Sequence, residues 1–202
     1  MSAVHKVHII DPEDRARADL YDFLSLLLAK PADASTLSRL AALSPDDSPI
    51  GNALAKLARL ARVTTPEITE REFTTLFIGL GRGEHLPYAS YYLTGFLNEK
   101  PLAKLRADMA TLGIERAEGK HEPEDNIASL MEIMGGLIIG RFGQVASLTD
   151  QRAFFESHIE AWAEHFFSDL AATESSVFYA AVGALGRSFM EIEREAFRLL
   201  AV

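Results

Sequence analysis

Apolar residues recur at intervals of three and four through most of the chain, the spacing of one face of an α-helix. Leu20, Phe23, Leu24 and Leu27 form the first such stripe. Asp11-Pro12-Glu13-Asp14 opens it, with Asp11 as N-cap and Pro12 at the first helical position, and Pro31 ends it. Helical stretches at 35–43 and 50–62 follow, separated by the polar loop SPDDSPIG. The next helix starts either from a capping box, Thr69 with Glu72, or one turn earlier from Thr65-Pro66. GLGRGEHLP, residues 79–87, breaks the pattern, and YASYYLTGFL resumes it. A helix over 101–112 ends at Gly113. Another runs from Pro123 to Arg141, its end weakened by Gly135, Gly136 and Gly140. Thr149 caps a helix reaching Leu170, with Phe155, Ile159, Trp162 and Phe166 on one face. The last helix, Ser176 to Leu200, buries Phe178, Ala181, Leu185, Phe189 and Ile192.

No alternating β-branched run bounded by hairpin turns interrupts this series, so the predicted fold is an all-α helical bundle. With 202 residues, 48% of them hydrophobic, the chain suits a single domain over 1–202, with 1–10 as a flexible tail. The formal net charge of -9 repels phosphate backbones and anionic headgroups and attracts cationic segments, so nucleic acid is not an expected partner. The absence of cysteine excludes disulfides, thiolate metal sites and thiol nucleophiles, and fits a cytoplasmic location. The N-terminal stretch lacks the long apolar core of a signal or anchor, and no run of 18 apolar residues occurs, so stable membrane insertion is not expected.

The motifs of common chemistries are incomplete. After His121-Glu122 the second histidine of a metalloprotease helix is replaced by Asp125, and Glu118-Gly-Lys-His121 is a single copy of a motif that di-iron bundles need twice. His5 and His8 fall in the predicted tail. Gly79, Gly81 and Gly83 form a glycine-rich turn with no Lys-Ser/Thr after it and no strand before it. No metal, cofactor or catalytic set is therefore predicted. The most distinctive cluster is HEPEDNIASL, where Glu122, Glu124 and Asp125 surround Pro123. One reading makes it a helix start with acids on the dipole; another makes it a dock for a basic partner. His158 and Trp162, four apart, fit a core edge equally well.

Taken in order, several segments resemble the TorD/DmsD family of chaperones for molybdenum-containing redox enzymes. Glu72-Phe73-Thr74-Thr75-Leu76-Phe77 with Gly79 is similar to the family's aromatic-x-x-Leu-Phe-x-Gly segment, and Pro87-Tyr88-Ala89-Ser90-Tyr91-Tyr92-Leu93 follows it. Leu105-Arg106 and Gly113-Ile114 come next, and Glu122-Pro123-Glu124-Asp125-Asn126 resembles the signature Glu-Pro-x-Asp-His. Phe155, His158 and Trp162, then Phe178-Tyr179, match the C-terminal half. Asn126 stands where the signature has His, and Ala161 where a Pro is frequent.

The resemblance implies a non-enzymatic cytoplasmic chaperone that binds the twin-arginine signal peptide and the unfinished apo form of a molybdoenzyme, delaying export until cofactor insertion. On this reading Glu122 and Asp125 receive arginines and Asn126 adds a polar contact. Phe77, Pro87, Tyr88 and Tyr91 form one wall, and His158 and Trp162 the facing helix. Phe77 and Trp162 also fit plain core positions. The wording of GRGEHLPYASYYLTGFLNEKPLAKLRADM is closer to members associated with formate dehydrogenases. The chain would act as a monomer or as a dimer exchanging helices across 113–122 or 141–149. The alternatives are a helical module pairing with folded partners, and a small enzyme using Glu122, Asp125 and His158 as acid–base groups.

Overall fold

The computed structural model describes residues 10–116, 119 and 122–200. His5, His8 and the Glu118-to-His121 motif lie outside them, as does part of the proposed 113–122 exchange segment. The described residues form ten α-helices: α1 Pro12–Ala29, α2 Ala34–Ala41, α3 Pro49–Ala61, α4 Pro66–Phe73, α5 Ala89–Thr94, α6 Lys100–Thr111, α7 Ile127–Ile139, α8 Leu148–His158, α9 Ala163–Ala171 and α10 Val177–Leu199. A π-helical turn over Thr74–Ile78 extends α4. The all-α expectation holds.

Local chemistry explains most helix starts. Asp11, Asp33, Ser48, Thr65, Ser147 and Ser176 each accept a backbone N–H of the first turn, and Pro follows the cap in α1, α3 and α4. Thr65-Pro66 therefore starts α4. Thr69 is instead buried, and its hydroxyl donates to the carbonyls of Ala32 (2.7 Å) and Pro66 (2.8 Å). Likewise Ser147 rather than Thr149 caps α8.

Two interfaces make the core: α1 packs along α7, and α10 packs on α9 and α3. Both need glycine. A Cβ on Gly135 would lie 2.7 Å from Asp22 on α1, and one on Gly183 would lie 2.4 Å from the backbone nitrogen of Ala171. Of the glycines expected to weaken α7, Gly135 thus faces α1, Gly136 faces the Phe142 ring, and the helix ends only at Gly140, where φ is +76°.

The helix expected from Thr149 to Leu170 is two helices. The N–H groups of Ile159 and Glu160 both reach the carbonyl of Phe155 at 2.9 Å, the second in the i→i−5 pattern that widens the turn, and α9 starts afresh after Trp162. Phe155, Ile159, Trp162 and Phe166 are nevertheless all buried, as predicted. The indole N–H of Trp162 donates to the His158 carbonyl at 2.8 Å, using an acceptor the break frees. The break forms with Ala161 in place of proline.

On α10 the expectation fails at one position. Ile192 is exposed, and the next residue, Glu193, is 1% exposed. Its carboxylate receives Nε and Nη2 of Arg17 (2.8 and 2.9 Å) and the hydroxyl of Tyr21 (3.0 Å). This pair ties α1 to α10. Two fixed N–H donors on two carboxylate oxygens offset the desolvation of the acid, but only while both partners remain. Replacing Arg17 with Met should therefore cost about 3 kcal/mol or more in urea unfolding. Replacing both Arg17 and Glu193 with apolar residues should cost clearly less than the sum of the single changes.

Candidate functional site

The two motifs singled out in the sequence are joined in space. The N–H of Ile127 donates to the carbonyl of Pro87 (2.8 Å), and that of Ala89 to the carbonyl of Asp125 (3.0 Å), so residues 87–89 and 125–127 form a short antiparallel pair. This pairing keeps 123–126 out of the helix. The expected start of α7 at Pro123 is therefore four residues too early, and the acids do not sit in its first turn.

Each acid has a different environment. Asp125 is 1% exposed, and its Oδ2 accepts the N–H of Ser90 at 2.8 Å, capping the start of α5. Asn126 caps α7, its Oδ1 accepting the N–H of Ala128 at 2.9 Å. Glu124 is buried against Arg106, which donates to it at 2.8 and 3.0 Å, with Arg116 at 3.6 Å. Burial raises the Glu124 pKa, but these arginines outweigh it and hold the carboxyl below its usual value. Glu122 alone of the cluster is exposed, with Tyr88 donating its hydroxyl to the carboxylate and the Asn126 amide at 3.4 Å. Burial and the adjacent Glu122 carboxylate push the Tyr88 phenol up, so it remains a donor.

These groups border a cavity of about 470 Å³. Leu28, Phe73, Phe77, Met109, Ile114, Ile133 and Phe142 contribute its apolar lining, while Glu115, Arg116, Glu122, Glu124, Asn126 and Glu132 supply polar groups. That size and mixture suit an apolar segment carrying a few polar or charged groups. Of the predicted site residues, Phe77, Pro87, Tyr88, Glu122 and Asn126 line it.

The other four do not. Asp125 and His158 border a separate space of about 10 Å³ beside α5 and α6. The expected arginine-receiving role of Asp125 meets a physical obstacle, because its carboxylate is buried and already caps α5. Trp162 is fully buried, with Tyr92 at 5.3 Å between ring centroids. Tyr91 instead meets Arg82 of the glycine loop, whose guanidinium lies 5.0 Å over its ring. In that loop Gly79 and Gly81 have φ of +64° and +100°, so the glycines serve backbone geometry.

His158 links α8 to α6 through Asp108, 2.8 Å from its Nε2. Burial lowers the imidazole pKa more than Asp108 raises it. Among the described residues, no group of three or more His, Asp or Glu is arranged to hold a metal ion, and no helix is long and apolar enough to cross a membrane.

The residues missed in the sequence are Leu28, Phe73, Met109, Ile114, Ile133 and Phe142, with Glu115, Arg116 and Glu132. The apolar ones give no signal beyond core spacing. Glu132 does, as the single charge in IASLMEIMGGLII.

Comparison with known proteins adds four matches. Residues 44–168, more than half of the chain, match the family model described as nitrate reductase delta subunit. The chain is 28% identical over 200 residues to the chaperone protein TorD of Aliivibrio fischeri, covering 88% of this chain and 92% of that one. It is 25% identical over 198 residues to the TorD of Vibrio cholerae, covering 88% and 90% respectively. In fold it matches a crystal structure from Archaeoglobus fulgidus, assigned provisionally to redox enzyme maturation, with a TM-score of 0.57 and 21% identity over 93% of this chain and 99% of that one.

Two outcomes follow from the capping geometry and the His158 contact. Asp125→Ala should destabilise the protein by about 1–3 kcal/mol in chemical unfolding, since it leaves the Ser90 N–H unpaired in a dry site. Asn126→Ala should cost about 1 kcal/mol, with Asn126→Asp retaining the cap. His158 has a lowered folded pKa, so below the ordinary imidazole value the unfolded chain binds more protons than the folded one. Stability should fall as pH drops below about 6.5, and His158→Asn should flatten part of that slope. His85, whose pKa burial also lowers, contributes in the same direction.

Proposed function

Since the chain belongs to the nitrate reductase delta subunit family and is a chaperone of the TorD/DmsD type, acting in redox-enzyme maturation, we propose that it binds the twin-arginine signal peptide of a molybdenum-containing oxidoreductase. In this reading the cavity bordered by α4, α6 and α7 receives the peptide. The protein holds the unfinished enzyme in the cytoplasm until its cofactor is inserted, working as one domain, as a monomer or a helix-exchanged dimer. A formate dehydrogenase is the client favoured by the sequence of residues 81–109.

One observation carries the reading: an exposed carboxylate, Glu122, stands at the mouth of a cavity of about 470 Å³ with a largely apolar lining. Signal peptides place cationic residues just before an apolar run. A carboxylate beside an apolar recess matches that order, because the guanidinium finds a charge-assisted partner while the following side chains leave water. Tyr88 and Asn126 contact the Glu122 carboxylate and preorganise it for the cation. Phe77 and Pro87 line the recess against which the apolar residues pack. Asp125, Tyr91, His158 and Trp162 act in this reading by holding α5, α6, α8 and α9 around the recess rather than by touching the peptide.

Isothermal calorimetry with a synthetic peptide, Arg-Arg followed by a Leu- and Ala-rich run, tests this directly. Replacing both arginines with Gln should weaken binding by about tenfold or more, equivalent to about 1.4 kcal/mol, and rising salt should weaken the parent peptide in the same direction. Glu122→Lys should reproduce the loss with an unchanged melting temperature. Equal affinity for the Arg-Arg and Gln-Gln peptides would sink the proposal.

A further inference from the structure

Charge bookkeeping around the cavity singles out one residue beyond the acidic motif. Four carboxylates line the cavity: Glu115, Glu122, Glu124 and Glu132. Glu124 is already neutralised, receiving Arg106 at 2.8 Å with Arg116 at 3.6 Å, and Arg116 also donates to the Glu122 carbonyl at 2.9 Å. Among the described residues Arg116 is the single basic side chain in the lining, and its charge is directed at Glu124. Among the same residues the carboxylate of Glu122 is met by two neutral donors, Tyr88 and Asn126.

Glu132 stands apart in a second way. It is the one charged residue of α7 and, from Ile127 to Ile139, the one exposed residue. Every neighbour in that helix is buried or half-buried. The neighbouring cavity-lining positions are Ala128, Ser129 and Ile133, which with Glu132 form one helical face. So the one fully exposed position of α7 lies on the cavity wall, and the side chain there is an acid. Among the described residues its carboxylate takes part in no ion pair or hydrogen bond; Arg141 approaches only the backbone carbonyl, at 3.4 Å.

We infer that Glu132, not Asp125, is the second carboxylate that receives a cationic side chain of the bound segment, with Glu122 as the first. The inference deepens the signal-peptide reading and rests on it. The occupant it commits to is an extended or helical peptide segment carrying two positive charges ahead of an apolar run. Charge complementarity supports this: among the described residues, two carboxylates without basic partners border an apolar recess whose single arginine is committed elsewhere. Glu122 lies just before α7, and Glu132 lies on its second turn. Helical rise puts about 8 Å of axis between the start of α7 and Glu132. The two carboxylates thus lie at separate positions along the wall, and each can meet its own cation of one segment.

The test uses the full chain and the same Arg-Arg peptide in isothermal calorimetry. Glu132→Gln should weaken binding about fivefold and reduce the salt dependence, while leaving the melting temperature unchanged, because the side chain is exposed and without partners. Glu174→Gln, at an exposed acid outside the cavity, should do neither and controls for net charge. Replacing one peptide arginine with Gln should reduce the loss caused by Glu132→Gln, because the two changes then remove the same contact. Binding to the wild-type protein that Glu132→Gln leaves unchanged would overturn the assignment of Glu132 alone. No binding to the wild-type protein, or equal binding of a Gln-Gln peptide, would overturn the signal-peptide reading and this inference together.

Discussion

The arrangement of the cavity depends on one reciprocal contact, the pairing of residues 87–90 with 125–127. Two consecutive residues cap two different helices: Asp125 accepts from the start of α5, and Asn126 from the start of α7. Two backbone hydrogen bonds, at 2.8 and 3.0 Å, lock the segments in register. A helix start leaves N–H groups without intrahelical partners, and burial makes leaving them unmatched expensive. Here both sets are satisfied by one dipeptide. Tyr88 and Asn126 face each other in this pair and both contact the Glu122 carboxylate, so one side of the cavity mouth is fixed with them.

The same stretch separates its carboxylates by role. Glu124 is buried against arginines and Asp125 is buried with its Oδ2 on the Ser90 N–H and its Oδ1 without a partner among the described residues, whereas Glu122 stays in water. Burying an acid is tolerable only with such partners, so these two are committed to holding the fold. Glu193 repeats the logic between α1 and α10, with Arg17 and Tyr21 as partners. The formal charge of -9 draws cationic segments toward the protein before any specific contact forms.

The wall formed by α7 is rigid for a packing reason. Gly135 lets α1 lie against it closely, and the buried residues from Ile127 to Ile138 are enclosed by neighbouring helices. A wall backed in this way holds Ser129, Glu132 and Ile133 in place, so a ligand does not pay to order it. On the opposite side α6 contributes Met109 to the cavity. Arg106 and Asp108, three and one residues before it, tie that helix to Glu124 and to His158.

Much of the fold was legible in the sequence because helix formation is local. Spacing, N-caps and prolines located the helices, and the stripes through Leu24, Phe155, Trp162 and Phe189 identified core residues correctly. Errors arose where a distant segment competed for the same backbone groups or space. The start of α7 moved from Pro123 to Ile127 because residues 87–89 hold the preceding backbone extended. The helix around Trp162 broke through sharing of the Phe155 carbonyl, and Glu193 took the buried place expected of Ile192 because Arg17 and Tyr21 were there to receive it. The family signature was readable as well, but not which of its acids stays available. By itself the sequence determined an all-α chain with an acidic motif at a helix start. Only the tertiary structure decided that Asp125 and Glu124 are spent on caps and ion pairs while Glu122 and Glu132 face the cavity, because burial and partner geometry are properties of the packed chain.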